Sequence, residues 1–121
     1  MWQNSTILLP PFQNNATQVT MTININKTQS GDKTSLALSG RLDTLTAPQL
    51  TEVLIPELNS AKHVELDFAE LVYMSSAGLR VLLLGANTAK DKGAQMTIIH
   101  VSSAIMEVFE MTSLLNVLHI E

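Results

Sequence analysis

Ser75-Ser76-Ala77-Gly78 is the stretch of this chain whose residue types and placement best suit chemistry. It lies between an apolar run, Leu71-Val72-Tyr73-Met74, and an apolar helical pattern that opens at Leu79. Ser76-Ala77-Gly78 copies half of the Gly-x-Ser-x-Gly turn that exposes a hydrolase nucleophile. Met74 stands where the leading glycine belongs, however, and no Asp and His follow in a hydrolase-like arrangement. Two roles remain, and they can coexist. Either serine can cap the helix by accepting a bond from an N–H of its first turn. A serine there can also be phosphorylated, because unpaired N–H groups and the positive end of the helix dipole tolerate an anion carrying roughly 1.5–2 negative charges.

Other candidate chemistry is thinner. Catalytic carboxylates must converge on one pocket. Glu65 and Asp67 alternate on the polar side of a strand, which is equally where a sheet keeps its charges in water. His63, His100 and His119 each fall at a strand end, without the i, i+4 spacing of a helical metal pair. The chain has no cysteine, which removes disulfides, thiolate nucleophiles and sulfur-ligated metals. Neither a phosphate-cradling glycine loop nor a dinucleotide glycine pattern occurs. These features predict a protein that is not an enzyme and carries no cofactor or metal.

Such a stretch has to be held by a fold, and 121 residues suffice for one domain with a real core. Hydrophobic residues make up 45% and charged residues 15%. Seven Lys/Arg against eleven Asp/Glu give a formal charge of −4, with the cations scattered, which argues against nucleic acid as partner. No apolar run approaches the ~20 residues of a membrane span.

The elements follow from periodicity. Ile23 and Ile25 alternate with polar residues; Gly31-Asp32-Lys33 is a turn; Leu36 and Leu38 alternate again, so a hairpin is expected, left at Gly40-Arg41-Leu42-Asp43. Thr46 is placed to cap a helix with Pro48 in its first turn and Leu50, Val53, Leu54 and Leu58 on one face. Pro56 is expected to kink or end that helix near Ile55. Val64, Leu66 and Phe68 mark a third strand. Leu79, Leu82, Leu83 and Ala86 mark a helix to about Asp91, with Gly93 as its left-handed stop after Lys90 and Lys92. A strand at Met96–His100, a helix capped by Ser102-Ser103 with Ile105, Met106, Phe109 and Met111 on its face, and a closing strand at Val117–Ile120 complete the pattern. The order β-β-α-β-α-β-α-β predicts an α/β fold: a mixed sheet with an N-terminal hairpin, later strands mainly parallel through right-handed crossovers, and helices covering it.

Residues 1–20 stand apart. They hold no Lys or Arg, and Ile7-Leu8-Leu9 is stopped by Pro10-Pro11, which makes a poor secretory signal. The expectation is an irregular extension over 1–20 before a domain over 21–121.

The run Gly40-Arg41-Leu42-Asp43, the helix after Thr46, His63-Val64-Glu65-Leu66-Asp67, the segment from Tyr73 to Leu84 and the closing Phe109-Glu110-Met111-Thr112-Ser113-Leu114 together resemble the STAS domain of bacterial anti-sigma factor antagonists. The resemblance covers about residues 21–121. It implies a cytoplasmic, non-enzymatic module of transcription regulation. Such a module binds an anti-sigma factor, often a serine kinase of the histidine-kinase-like ATPase superfamily, when unphosphorylated. The kinase's phosphorylation releases it, and a PP2C-type phosphatase resets it. Matching the family glycine to Gly78 places the phosphoacceptor at Ser76. The family's Asp is then Ser75, a competing acceptor, and its next Ser/Thr is Ala77. Asp43 matches the family's acidic position near the acceptor, either as a partner contact or as a turn-stabilising Asp. With Ser75, Ser76 and Gly78, Arg80 in the first helical turn joins the expected partner-binding set. The lost Asp leaves an alternative: an accessory subunit of a lipid-transport ABC complex or of a sensory signalling complex.

Overall fold

The computed structural model describes residues 23–121. The expected extension over 1–20 lies outside them. Strand β1 (Ile23–Ser30) turns back through Gly31-Asp32 into β2 (Lys33–Leu42). Helix α1 (Ala47–Ser60) leads to β3 (His63–Met74), α2 (Ser76–Lys92) to β4 (Gln95–Ile99), and α3 (Ser103–Met111) to a short 3-10 turn, Leu114–Asn116. The sheet order is β1-β2-β3-β4, with the hairpin antiparallel and the other pairs parallel. This is the mixed sheet that the periodicity predicts.

One face of the sheet is apolar because alternate residues of every strand point the same way. Leu36, Leu66 and Ile98 are in register across β2, β3 and β4 and are fully buried. Leu50, Leu54 and Leu58 of α1 and Leu79 and Leu82 of α2 join them in a single core. The opposite face is polar and internally paired. Ser35 donates to Glu65 at 3.1 Å, Lys33 reaches the same carboxylate at 3.4 Å, and the His63 ring meets the Thr97 hydroxyl at 3.0 Å.

Local expectations fared unevenly. Gly93 adopts the left-handed conformation (φ 69°) and ends α2, and Ser102 caps α3 by accepting from the Ile105 N–H at 3.3 Å. Pro56 neither ends α1 nor stops it at Ile55; the helix runs on to Ser60. Pro56 lies on the exposed side, and the buried Leu54 and Leu58 anchor the turns on either side of it. Strand β2 continues through Gly40 to Leu42, because Gly40 and Arg41 still pair with β3. Met111 is 83% exposed rather than on the buried face of α3. It sits about 200° around the helix from Phe109, off the stripe that Ile105 and Phe109 define. The closing strand shrinks to one parallel bridge, Ile98 with Ile120, held by the Ile98 N–H to the His119 carbonyl and the Glu121 N–H to the Ile98 carbonyl, both at 2.9 Å.

Candidate functional site

The expected site residues gather where the parallel strands β2 and β3 end. Leu42 is in register with Met74, and the Ser75 N–H donates to the Leu42 carbonyl at 2.9 Å, so the pairing runs up to the start of α2. Ser75 is extended (φ −103°, ψ 178°) in the N-cap position, yet its side chain makes no capping bond. Its hydroxyl is buried and has no hydrogen-bond partner among the described residues. Ser76 is the first residue of α2 and is exposed. The Leu79 N–H, bonded to the Ser75 carbonyl at 3.2 Å, is the first of the helix to find an intrahelical partner. The N–H groups before it form the positive helix end.

Two other expected residues sit differently. Gly78 is buried, and a Cβ built there would lie 2.8 Å from Leu42 Cγ and 3.1 Å from Met74 Cγ. Glycine at this place lets α2 start close over the ends of β2 and β3. Arg80 is exposed on the first turn of α2.

Asp43 organises the loop between β2 and α1. One carboxylate oxygen accepts from the N–H groups of Leu45 (3.0 Å) and Thr46 (3.1 Å), while Arg41 Nε lies 3.7 Å from the other. Burial pushes the Asp43 carboxyl upward, but those two N–H bonds, the Thr46 hydroxyl and the Arg41 charge outweigh it and hold the group below the usual carboxylate range. Thr46, the expected cap, makes no capping bond with its side chain. Its hydroxyl accepts from the Asp43 N–H (2.9 Å) and donates to the Arg41 carbonyl (2.8 Å), locking the turn from inside.

Sequence reasoning missed part of the surface beside Ser76. The Arg41 guanidinium stacks over the Tyr73 ring at 4.1 Å from its centroid. Leu45, Val72 and Tyr73 are exposed at this same end of the sheet. Consecutive outward residues on β3 arise from its register: the strand carries one extra residue between Asp67 and Glu70 and another between Leu71 and Tyr73. The only sequence signal was the apolar run Leu71-Val72-Tyr73-Met74, in which not every side chain can face inward.

The other titratable candidates are dispersed. Glu65 is engaged by Ser35 and Lys33 on the polar sheet face. Asp67 accepts from the His100 ring at 2.8 Å and from the Ala69 N–H at 2.9 Å, and His119 pairs with Glu121 at 3.3 Å. Burial raises the Asp67 carboxyl less than the Ala69 N–H and His100 lower it, leaving it below the ordinary range. No group of three or more His, Asp or Glu side chains suited to a metal occurs among the described residues. No helix among them is long and apolar enough to cross a membrane.

Comparison with known proteins puts this geometry in context. A family model described as "Mlab, STAS domain" matches residues 25–119. The chain is 30% identical over 101 residues to an anti-sigma-B factor antagonist of Staphylococcus epidermidis, covering 83% of this chain and 94% of that one. A putative anti-sigma factor antagonist from Thermotoga maritima superposes with a TM-score of 0.74 at 16% identity, over 79% of this chain and 84% of that one. The Bacillus cell fate determinant SpoIIAA in its phosphorylated form superposes with a TM-score of 0.65 at 15% identity, over 81% and 91%. These last two likenesses concern the fold. From the matched family model and the Staphylococcus relative together, the chain belongs to the STAS domain family of anti-sigma factor antagonists.

Proposed function

We propose that this chain is a cytoplasmic anti-sigma factor antagonist whose binding is switched by phosphorylation of Ser76. The observation that carries the reading is the contrast between two adjacent serines. Ser76 is exposed on the first residue of α2, whereas the Ser75 hydroxyl is buried. A kinase needs a hydroxyl it can reach, and a phosphate on Ser76 meets the positive end of the helix without melting it. That the fold neighbour SpoIIAA is described both in an unphosphorylated and in a phosphorylated form supports the same reading.

The partner in this reading is an anti-sigma factor with serine kinase activity, and a PP2C-type phosphatase restores the binding form. Unphosphorylated, the end of the sheet around Ser76 presents the exposed Leu45, Val72 and Tyr73 and the Arg41–Asp43 pair. A doubly charged phosphate at the middle of such an interface must be desolvated and repels acids of the partner. A loss of about 2.7 kcal/mol weakens binding a hundredfold.

The test is capture of partners from native cell extract, with membranes solubilised in mild detergent, on wild type, Ser76→Ala and Ser76→Asp. Wild type and Ser76→Ala are expected to retain an ATPase-fold kinase that Ser76→Asp loses. Equal retention by Ser76→Asp refutes the switch. A second reading, a docking subunit of a transport or sensory complex, is favoured by Ser75 standing in the family's acidic position. Its signature is one membrane-associated assembly captured equally by all three baits.

A further inference from the structure

The β1–β2 turn and the end of α1 border a half-open cavity of about 280 Å³ at the start of β2 and β3. The ten residues of β2 separate it from the Ser76 end of the sheet, roughly 30 Å at ~3.3 Å per residue. Its walls are polar. Gln29, Asp32, Thr34, Ser60 and Lys62 line it, with no aromatic and no large aliphatic side chain among the lining residues. Sites for planar or greasy ligands are walled by such side chains, so an occupant here has to be small and polar. The volume is that of roughly nine waters at ~30 Å³ each.

Two opposite charges line this cavity without neutralising each other. Asp32 and Lys62 are both exposed, and neither enters an ion pair among the described residues. Elsewhere on the sheet and its connections the cations do find acids: Lys27 meets Glu57, Lys33 meets Glu65 and Arg41 meets Asp43. The backbones that carry the two free charges are anchored. The Asp32 carbonyl accepts from the His63 N–H at 3.2 Å, and the Lys62 carbonyl from the Gln95 N–H at 2.9 Å.

Further acceptors and one donor complete the lining. Helix α1 ends here with no basic residue in its last turn, so its free carbonyls present the negative end of the helix. The Ser60 hydroxyl donates to the Pro56 carbonyl at 3.2 Å, which leaves its oxygen as an acceptor. Thr34 is only 1% exposed. Its hydroxyl accepts a long bond from Gln29 Nε2 at 3.5 Å, while its own proton has no acceptor among the described residues. A buried O–H left in that state is satisfied by an acceptor brought in from outside.

We propose that this cavity binds a small zwitterion, a free α-amino acid. Its ammonium meets Asp32 and the end of α1, and its carboxylate meets Lys62 and the Thr34 hydroxyl. Glutamine has about as many non-hydrogen atoms as the cavity holds waters, and it carries no net charge. Both ion pairs stay open to solvent, so a dissociation constant on the order of a millimolar is expected. The site makes no use of Ser76 and does not rest on the antagonist reading.

The test is a titration of the full, isotope-labelled chain with L-glutamine at constant ionic strength, followed by amide chemical shifts. Saturable shifts are expected at Gly31, Asp32, Thr34 and Lys62, and their absence well past that concentration overturns the proposal. L-Glutaminamide, which lacks the carboxylate, and N-acetyl-L-glutamine, which lacks the ammonium, are each expected to bind about tenfold more weakly. Equal binding by the first overturns it in favour of a simple cation site, and equal binding by the second in favour of a simple anion site. Asp32→Asn and Lys62→Gln change exposed side chains outside the ion pairs of the fold. Each is expected to weaken glutamine roughly threefold to fivefold. Unchanged affinity in both variants also overturns the proposal, because the shifts then come from contact that ignores the two charges.

Discussion

Asp43→Ala separates what the carboxylate does for the fold from what it offers a partner. The substitution removes an acceptor from two N–H groups at 3.0 and 3.1 Å. These two losses are unequal. Leu45 is 57% exposed, so its N–H regains water and the change costs about 0.5–1 kcal/mol. Thr46 is fully buried, so its N–H is left without a partner at about 1–3 kcal/mol. The Arg41 contact adds little, because that side chain is 43% exposed and the separation is 3.7 Å. The sum is about 1.5–4 kcal/mol, or roughly 6–16 °C in Tm for a domain of this size. Asp43→Asn keeps an oxygen acceptor and loses the charge, so about half of that cost is expected. Urea unfolding of the three proteins at pH 7 and again in acid gives the answer. The native carboxyl titrates below its unfolded value, so its contribution is present above the unfolded pKa and lost as pH falls through the folded one. Wild type should therefore lose stability on acidification more than Asp43→Asn does. If Asp43→Ala matches wild type within 0.5 kcal/mol, a margin about the size of an ordinary surface substitution, the turn is held by something else and the accounting is wrong.

Two further substitutions test the start of α2. Ser75→Ala removes a buried hydroxyl without a partner, so stability is expected to hold or rise by up to about 1 kcal/mol, against the ~1 kcal/mol loss of an ordinary N-cap. Chemical denaturation distinguishes the two, and a clear loss means the hydroxyl does cap the helix in solution. Gly78→Ala gains about 0.8–1 kcal/mol of helix propensity but drives a methyl to 2.8 Å from Leu42 Cγ, an atom of a fully buried side chain. Overpacking of about 1–3 kcal/mol should win, leaving a net loss near 1 kcal/mol in urea titration; a more stable variant would show that Leu42 moves aside freely.

The architecture was legible because alternation and helical periodicity are direct records of burial. Leu36, Leu66 and Ile98 alternate with polar neighbours, and they meet in register. Gly93 was legible because a helix end in the left-handed region has few other occupants. Pro56 does not end α1 because the loss of one N–H on the exposed side of the helix weighs less than keeping Leu54 and Leu58 in the core. At the site, Ser76 was reached through its place at a helix start and through the resemblance, and Asp43 through the resemblance alone. Arg41, Leu45, Val72 and Tyr73 were not reached as a surface. Their grouping depends on the two extra residues of β3 and on an aromatic–cation stack between strands, and neither leaves a periodic trace.

Those two extra residues also divide the sheet by how tightly it is stitched. From Val64 to Asp67, β3 pairs residue for residue with both β2 and β4. Beyond Asp67 it has β2 alone, and that ladder is interrupted twice before Met74. Interrupted, one-sided pairing opens at lower free energy than a continuous two-sided ladder. The end of the domain that carries Ser76 can therefore breathe, and admit the reshaping that a partner or a phosphate demands, while the half that holds Leu66 and Ile98 stays closed.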